Sequence, residues 1–199
     1  MFVKICGIQE AAHAQAAVEA GADAIGFLFS DSPRQVGPDL ARDLVSAIPD
    51  QVLTVGVFAG VAPEDIRRIA TEANVDAVQL HGSYEFSDFS QLKSDPFTII
   101  RAVAGSATTV LDTGAWGEDM LIVDSATPGA GHAWDWDRLP TPPTGQWMLA
   151  GGLRPDTVAS AVSALNPWGV DVSSGVEVRR GVKDSALIRE FVAAAKSAA

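Results

Sequence analysis

Short apolar, β-branched runs alternate with alanine-rich amphipathic stretches from one end of the chain to the other. The runs predict strands over 2–6, 23–28, 52–58, 75–80, 97–103, 120–124, 147–150 and 169–173. Stripes of helical period fall at 9–20, 38–48, 62–73, 84–94, 155–165 and 184–197. Pro63 before Glu64-Asp65 and Pro155 before Asp156 read as first helical turns, and Gly21 as a helix stop. The fifth unit breaks the pattern: 104–119 holds three glycines and no apolar stripe, which predicts a loop or single turn. A weak repeat marks strand entries at Asp23-Ala24-Ile25, Asp76-Ala77-Val78 and Asp171-Val172.

Strand–helix alternation implies parallel strands joined by right-handed crossovers. Eight such strands either close into a barrel or lie in an open doubly wound sheet. No glycine-rich dinucleotide loop follows the first strand, which weighs against the open sheet. The expected fold is a (β/α)8 TIM barrel with a degenerate or missing fifth helix. It forms one domain over 1–199, the proline-rich 137–145 being a connector within it.

Charge and composition narrow the partners. A net charge of −11 opposes nonspecific nucleic-acid binding, which depends on phosphate contacts. No apolar run approaches the roughly 20 residues of a membrane helix, and no secretory leader is visible at the N-terminus. The single cysteine, Cys6, excludes an internal disulfide and fits a reducing, cytoplasmic setting. No two of the three histidines have ligand spacing, so no metal is expected.

In such a barrel chemistry sits at the C-terminal ends of the strands. Side-chain alternation puts Phe2, Lys4 and Cys6 on one face, Met120, Ile122 and Asp124 on another, and Gly169, Asp171 and Ser173 on a third. With these faces inward, Cys6 and Asp124 look at each other across the mouth. Lys4 lies one layer below Cys6, with Asp171 on the adjacent strand as the partner that a buried ammonium needs. Cys6 and Asp124 make an acid–base pair if a nearby cation lowers the thiol pKa and desolvation raises that of the carboxyl. Taken alone, a lone cysteine is more often a buried structural residue; their joint placement favours catalysis.

Anion-binding loops come from elsewhere. Gly151-Gly152 after strand seven and Ser173-Ser174-Gly175 after strand eight stand where barrels often hold phosphate. Arg34 after strand two could hold a carboxylate by two parallel hydrogen bonds. His81 ends strand four as a ligand contact or a hydrogen-bonded mouth residue. His13 falls on the first helix, His132 in a glycine-rich loop, and the Trp134-Asp135-Trp136 run roofs the barrel or opens helix six.

These same places carry a resemblance. "VKICGI", "SPRQV", "VGVF", "VQLHG", "IVDS", "LAGGLRPDTV", "GVDVSSGVE" and "GVKD" follow in order from Val3 to Asp184, and the series resembles the phosphoribosylanthranilate isomerase family of tryptophan biosynthesis. The resemblance implies a cofactor-free Amadori rearrangement of a small anionic phosphosugar. Asp124 would protonate the ring oxygen, and Cys6, as thiolate, would take the proton from sugar carbon 2. Arg34 would hold the anthranilate carboxylate, and Gly151, Gly152, Ser173, Ser174 and Gly175 the phosphate. Asp171 would orient Cys6 or a sugar hydroxyl. The stretch Pro128-Gly129-Ala130-Gly131 departs from the family's usual Gly-Gly-Thr-Gly, which predicts tuning rather than loss of activity. Two rivals remain: an isomerase of the histidine-pathway ribotide, alone or as a second activity, and a noncatalytic phosphate-binding barrel. Monomer and homodimer are both compatible with the chain.

Overall fold

The structure, a computed structural model, describes residues 1–105, 110–124 and 143–198. The expectations for Pro128–Gly131, for His132 and for Trp134–Trp136 lie outside the described residues, as does most of the 137–145 connector. Eight parallel strands close in sequence order: β1 (Phe2–Cys6), β2 (Ala24–Leu28), β3 (Leu53–Phe58), β4 (Ala77–His81), β5 (Thr98–Ala104), β6 (Met120–Asp124), β7 (Trp147–Leu149) and β8 (Gly169–Val172). Around them lie α1 (Ala11–Ala20), α2 (Pro38–Val45), α3 (Pro63–Ala73), α4 (Phe86–Leu92), α5 (Val158–Leu165) and α6 (Ser185–Ser197). A two-stranded hairpin, β9 (Glu177–Arg179) with β10 (Val182–Lys183), follows β8.

The fold is therefore the closed barrel that the alternation implied. One boundary differs for a definite reason: α5 begins at Val158, not Pro155. Thr157 turns its Oγ1 back to accept from the Arg154 N–H at 3.0 Å, which makes 154–157 a turn.

Alternation sorts each strand into an outer face against the helices and an inner face. Inside, Ala24, Val55, Ala77, Ile100 and Met148 form an apolar plug, floored by Phe2 stacked on Trp168 with ring centroids 4.5 Å apart. Above the plug the interior turns polar, and these residues face the mouth. Gly26 is part of that change: a Cβ there would come within 3.0 Å of Cys6 Sγ, so only glycine leaves the thiol its room.

The aspartate repeat acquires two meanings. Asp23 and Asp76, just before β2 and β4, accept backbone N–H groups of the preceding strand, from Val3 at 2.7 Å and Thr54 at 2.9 Å. Asp119 before β6 does the same for Ile99 at 2.8 Å. Asp171 does not: it lies within β8, faces the interior and is paired in register with Lys4.

In the fifth unit the described residues 110–119 form turns rather than a helix. Arg101 points outward from β5, where a helix would pack. Its Nε donates to Glu118 Oε1 at 2.6 Å, its Nη1 to Val110 O at 2.9 Å, and its guanidinium lies over the Trp116 ring. Glu118 Oε2 in turn accepts the Trp116 N–H at 2.8 Å. A buried ion pair thus stands in for a helical face, with side chains 2% and 0% exposed.

Candidate active site

At the C-terminal mouth lies a cavity of about 360 Å³ whose lining includes Cys6, Arg34, His81, Asp124, Asp171 and Ser173. A smaller one of about 60 Å³ adjoins it, formed by Gly151, Gly152, Ser174 and Gly175 and sharing Asp124, Asp171 and Ser173 with the first. Six of the strands, through their C-terminal ends or the segments that follow them, thus bring every sequence-predicted site residue to two adjoining spaces. The segments after β7 and β8 touch backbone to backbone, since a Cβ on Gly175 would fall 1.8 Å from Leu153 O.

Lys4 and Asp171 form a buried ion pair at 2.9 Å, one layer below Cys6. Burial works against the Lys4 ammonium, but Asp171 and the thiol outweigh it, and its pKa rises above the ordinary lysine value. Cys6 moves opposite to the sequence expectation. Burial pushes its thiol above the usual range; Lys4 pulls it down, Asp171 adds to the rise and Lys183 lowers it, and burial prevails.

Arg34 also departs from expectation. Its Nε and Nη2 already form the two parallel bonds, to Glu177 Oε1 at 2.6 Å and Oε2 at 2.9 Å. The bidentate edge is therefore committed within the protein, which leaves only the other edge of the guanidinium open to a ligand. Glu177 is further held by Lys183 Nζ at 2.8 Å and the Gly181 N–H at 3.0 Å. Lys183 Nζ also donates to Ser173 O at 2.9 Å and to Ser173 Oγ at 3.2 Å. Burial draws the Lys183 ammonium below its ordinary pKa despite the carboxylate beside it. The β9–β10 hairpin thus ties the loop after β2 to the loop after β8.

Sequence reasoning missed Glu177 and Lys183, which line neither cavity but hold Arg34 and Ser173 in place, although both stand in the quoted "SSGVE" and "GVKD". An acid and a base six residues apart around a glycine were the available signal. Among the described residues, no group of three His, Cys, Asp or Glu side chains is arranged to hold a metal.

A family profile for N-(5'phosphoribosyl)anthranilate (PRA) isomerase matches residues 3–194. The chain belongs to this family. Membership in the PRA isomerases makes it an isomerase of tryptophan biosynthesis. A curated PRA isomerase from Symbiobacterium thermophilum is 40% identical over 222 aligned positions, covering 100% of both chains. The crystal structure of TrpF from Jonesia denitrificans superposes with a TM-score of 0.92 at 41% identity, covering 100% of this chain and 98% of that one. A further PRA isomerase structure, in complex with reduced 1-(o-carboxyphenylamino)-1-deoxyribulose 5-phosphate, gives a TM-score of 0.82 at 33% identity over 99% of each chain. No helix among the described residues is long and apolar enough to cross a membrane.

The hairpin tether predicts a specific acid response. Burial alone would raise the Glu177 pKa, yet bonds from Arg34, Lys183 and Gly181 hold it at about 2, below its ordinary 4.5. A carboxyl depressed on folding stabilises the fold above its unfolded pKa, and that stability fades as pH falls towards 2. Glu177→Gln removes this contribution, so urea midpoints of the variant should change less than those of wild type between pH 5 and pH 2. If the Arg34 that Glu177 anchors contacts substrate, KM for PRA should rise about tenfold, with kcat affected less. Parallel midpoints and an unchanged KM would show that the tether orients nothing.

Proposed function

We propose that Cys6 and Asp124 carry out the rearrangement of N-(5-phosphoribosyl)anthranilate as base and acid. The observation that carries the reading is their convergence, from β1 and β6, on one mouth cavity beside a glycine- and serine-lined anion pocket. Gly151, Gly152, Ser173, Ser174 and Gly175 take the phosphate on backbone N–H groups and hydroxyls, which suits a dianion in an otherwise acidic protein. Arg34, held by Glu177, presents its remaining N–H groups to the anthranilate carboxylate. His81 and Asp171 contact the sugar.

Burial favours the neutral Cys6 thiol, so the reactive arrangement is one that the proton must be moved to reach. Between them, thiol and carboxylate hold one exchangeable proton, and turnover begins from the arrangement with that proton on Asp124. Asp124 donates it to the furanose ring oxygen; the C1–O bond breaks and C1 becomes a cationic Schiff base. That positive charge acidifies C2–H and favours the thiolate beside it. Cys6 takes the C2 proton, the electron pair forms the C1–C2 double bond of an enolamine, and tautomerisation gives the 1-deoxyribulose ketone. The pair ends with its proton on sulfur, and its return to Asp124 resets the site. No cofactor enters.

The site is built from one chain, so the reading holds for a monomer or a homodimer, working in the cytoplasm. A carboxylate-for-thiol base would suit the histidine-pathway ribotide, and Cys6 favours the anthranilate substrate. Purified enzyme offered each ribotide separately should consume PRA, followed by loss of its fluorescence. Turnover of the histidine-pathway ribotide alone would overturn the assignment.

A further inference from the structure

Gln79 lies on the inner face of β4, two residues before His81 and one layer deeper. It is 2% exposed, and its neighbours in register, Val57 and Ile100, are apolar. Its Oε1 has no hydrogen-bond partner among the described residues. The contrast with Lys4, at similar depth, is plain: Lys4 has Asp171. An amide oxygen stripped of water and left unpaired destabilises the free enzyme, and an apolar residue of the same length would avoid that. The same residue lines the larger cavity together with Cys6, Ile122 and Asp124, so a side chain with an unpaired amide oxygen forms part of the wall of the space proposed to hold substrate.

The missing partner must be a donor. Carboxylate and phosphate only accept, and the reading above places both at the rim, by Arg34 and by Gly151–Gly152 and Ser173–Gly175. What lies between these two ends of the substrate is the ribose chain, whose hydroxyls both donate and accept. We propose that Gln79 is a substrate-binding residue whose amide receives a ribose hydroxyl, Oε1 accepting its proton and Nε2 donating to its oxygen. This rests on the placement of substrate in the mouth cavity. Within it, the amide selects for a hydroxylated sugar and fixes the chain relative to Cys6. Sites that hydrogen-bond a substrate hydroxyl discriminate strongly because their own polar groups are otherwise left unpaired.

The experiment separates ligand binding from structural filling because the two readings move stability in opposite directions. Gln79→Met and Gln79→Leu remove the amide while keeping an apolar side chain among apolar neighbours. Both variants should melt at or above the wild-type temperature, by about 2–4 °C where the relief is fully realised. Their kcat/KM for PRA should fall about 10–100-fold. Inhibition by reduced 1-(o-carboxyphenylamino)-1-deoxyribulose 5-phosphate and by ribose 5-phosphate should weaken in parallel, while inhibition by anthranilate, which lacks the sugar, should not change. A lowered melting temperature or failure of both variants to fold overturns the proposal, since an unpaired amide would then be holding the fold. So does a kcat/KM within twofold of wild type, or weakened inhibition by anthranilate alone. A Cys6→Ala enzyme assayed alongside keeps the two readings apart: full turnover there refutes the acid–base assignment, whereas the inhibitor constants report on Gln79 independently.

Discussion

Cys6→Ala and Asp124→Asn should each lower kcat for PRA by about 10²–10⁴-fold, the range for loss of one positioned acid or base. KM should stay near wild type, because anion loops and Arg34 remain in place. The double variant should be little worse than either single one, since in the proposed mechanism the two groups share a proton and act as a unit. A second signature concerns pH. Burial lifts the Cys6 thiol above its ordinary value of 9.0, so the alkaline limb of kcat/KM should fall above pH 9. Near-normal turnover in either variant would contradict the assigned roles, and an alkaline limb near pH 8 would contradict the upward shift of the thiol.

The second large effect lies far from the mouth. Glu118→Ala leaves the Arg101 guanidinium, 2% exposed, without its carboxylate. Removing one partner of a buried ion pair costs about 3–5 kcal/mol, and about 2–4 °C per kcal/mol applies at this chain length. Thermal unfolding should therefore begin roughly 6–20 °C lower. The loss has a local cause as well, because Glu118 also orders the 110–119 turns through the Trp116 N–H. Replacing both residues, as in Arg101→Leu with Glu118→Leu, should recover much of the stability, since a packed apolar pair needs no charge compensation. A Glu118→Ala melting temperature within 2 °C of wild type would show that the turns are held by something else.

Much of this was legible in the sequence, and the parts that were not share a physical reason. Strand and helix positions followed from periodicity because nearly every unit repeats one problem, an apolar strand covered by an apolar helical stripe. The inner faces of β1, β6 and β8 followed from alternation, which is how Cys6, Asp124 and the Lys4–Asp171 pair could be found before the structure. The Arg34–Glu177–Lys183 chain could not be, because it joins the loop after β2 to a hairpin over 140 residues later, and no local pattern encodes that contact. The direction of the Cys6 shift was missed for a related reason: counting nearby cations is possible from sequence, whereas weighing them against full burial requires the packed barrel. Gln79 was hidden in plain view within "VQLHG", since only the structure shows that its oxygen meets no donor.

The aspartates at the base carry a wider consequence. Asp23, Asp76 and Asp119 set strand offset from the end of the barrel opposite the ligand, and none of them lines either mouth cavity. Alignment of the staves is therefore decided where substrate never reaches. The loops above are in that sense exchangeable parts: a lineage can rewrite what the mouth recognises without renegotiating how the barrel closes.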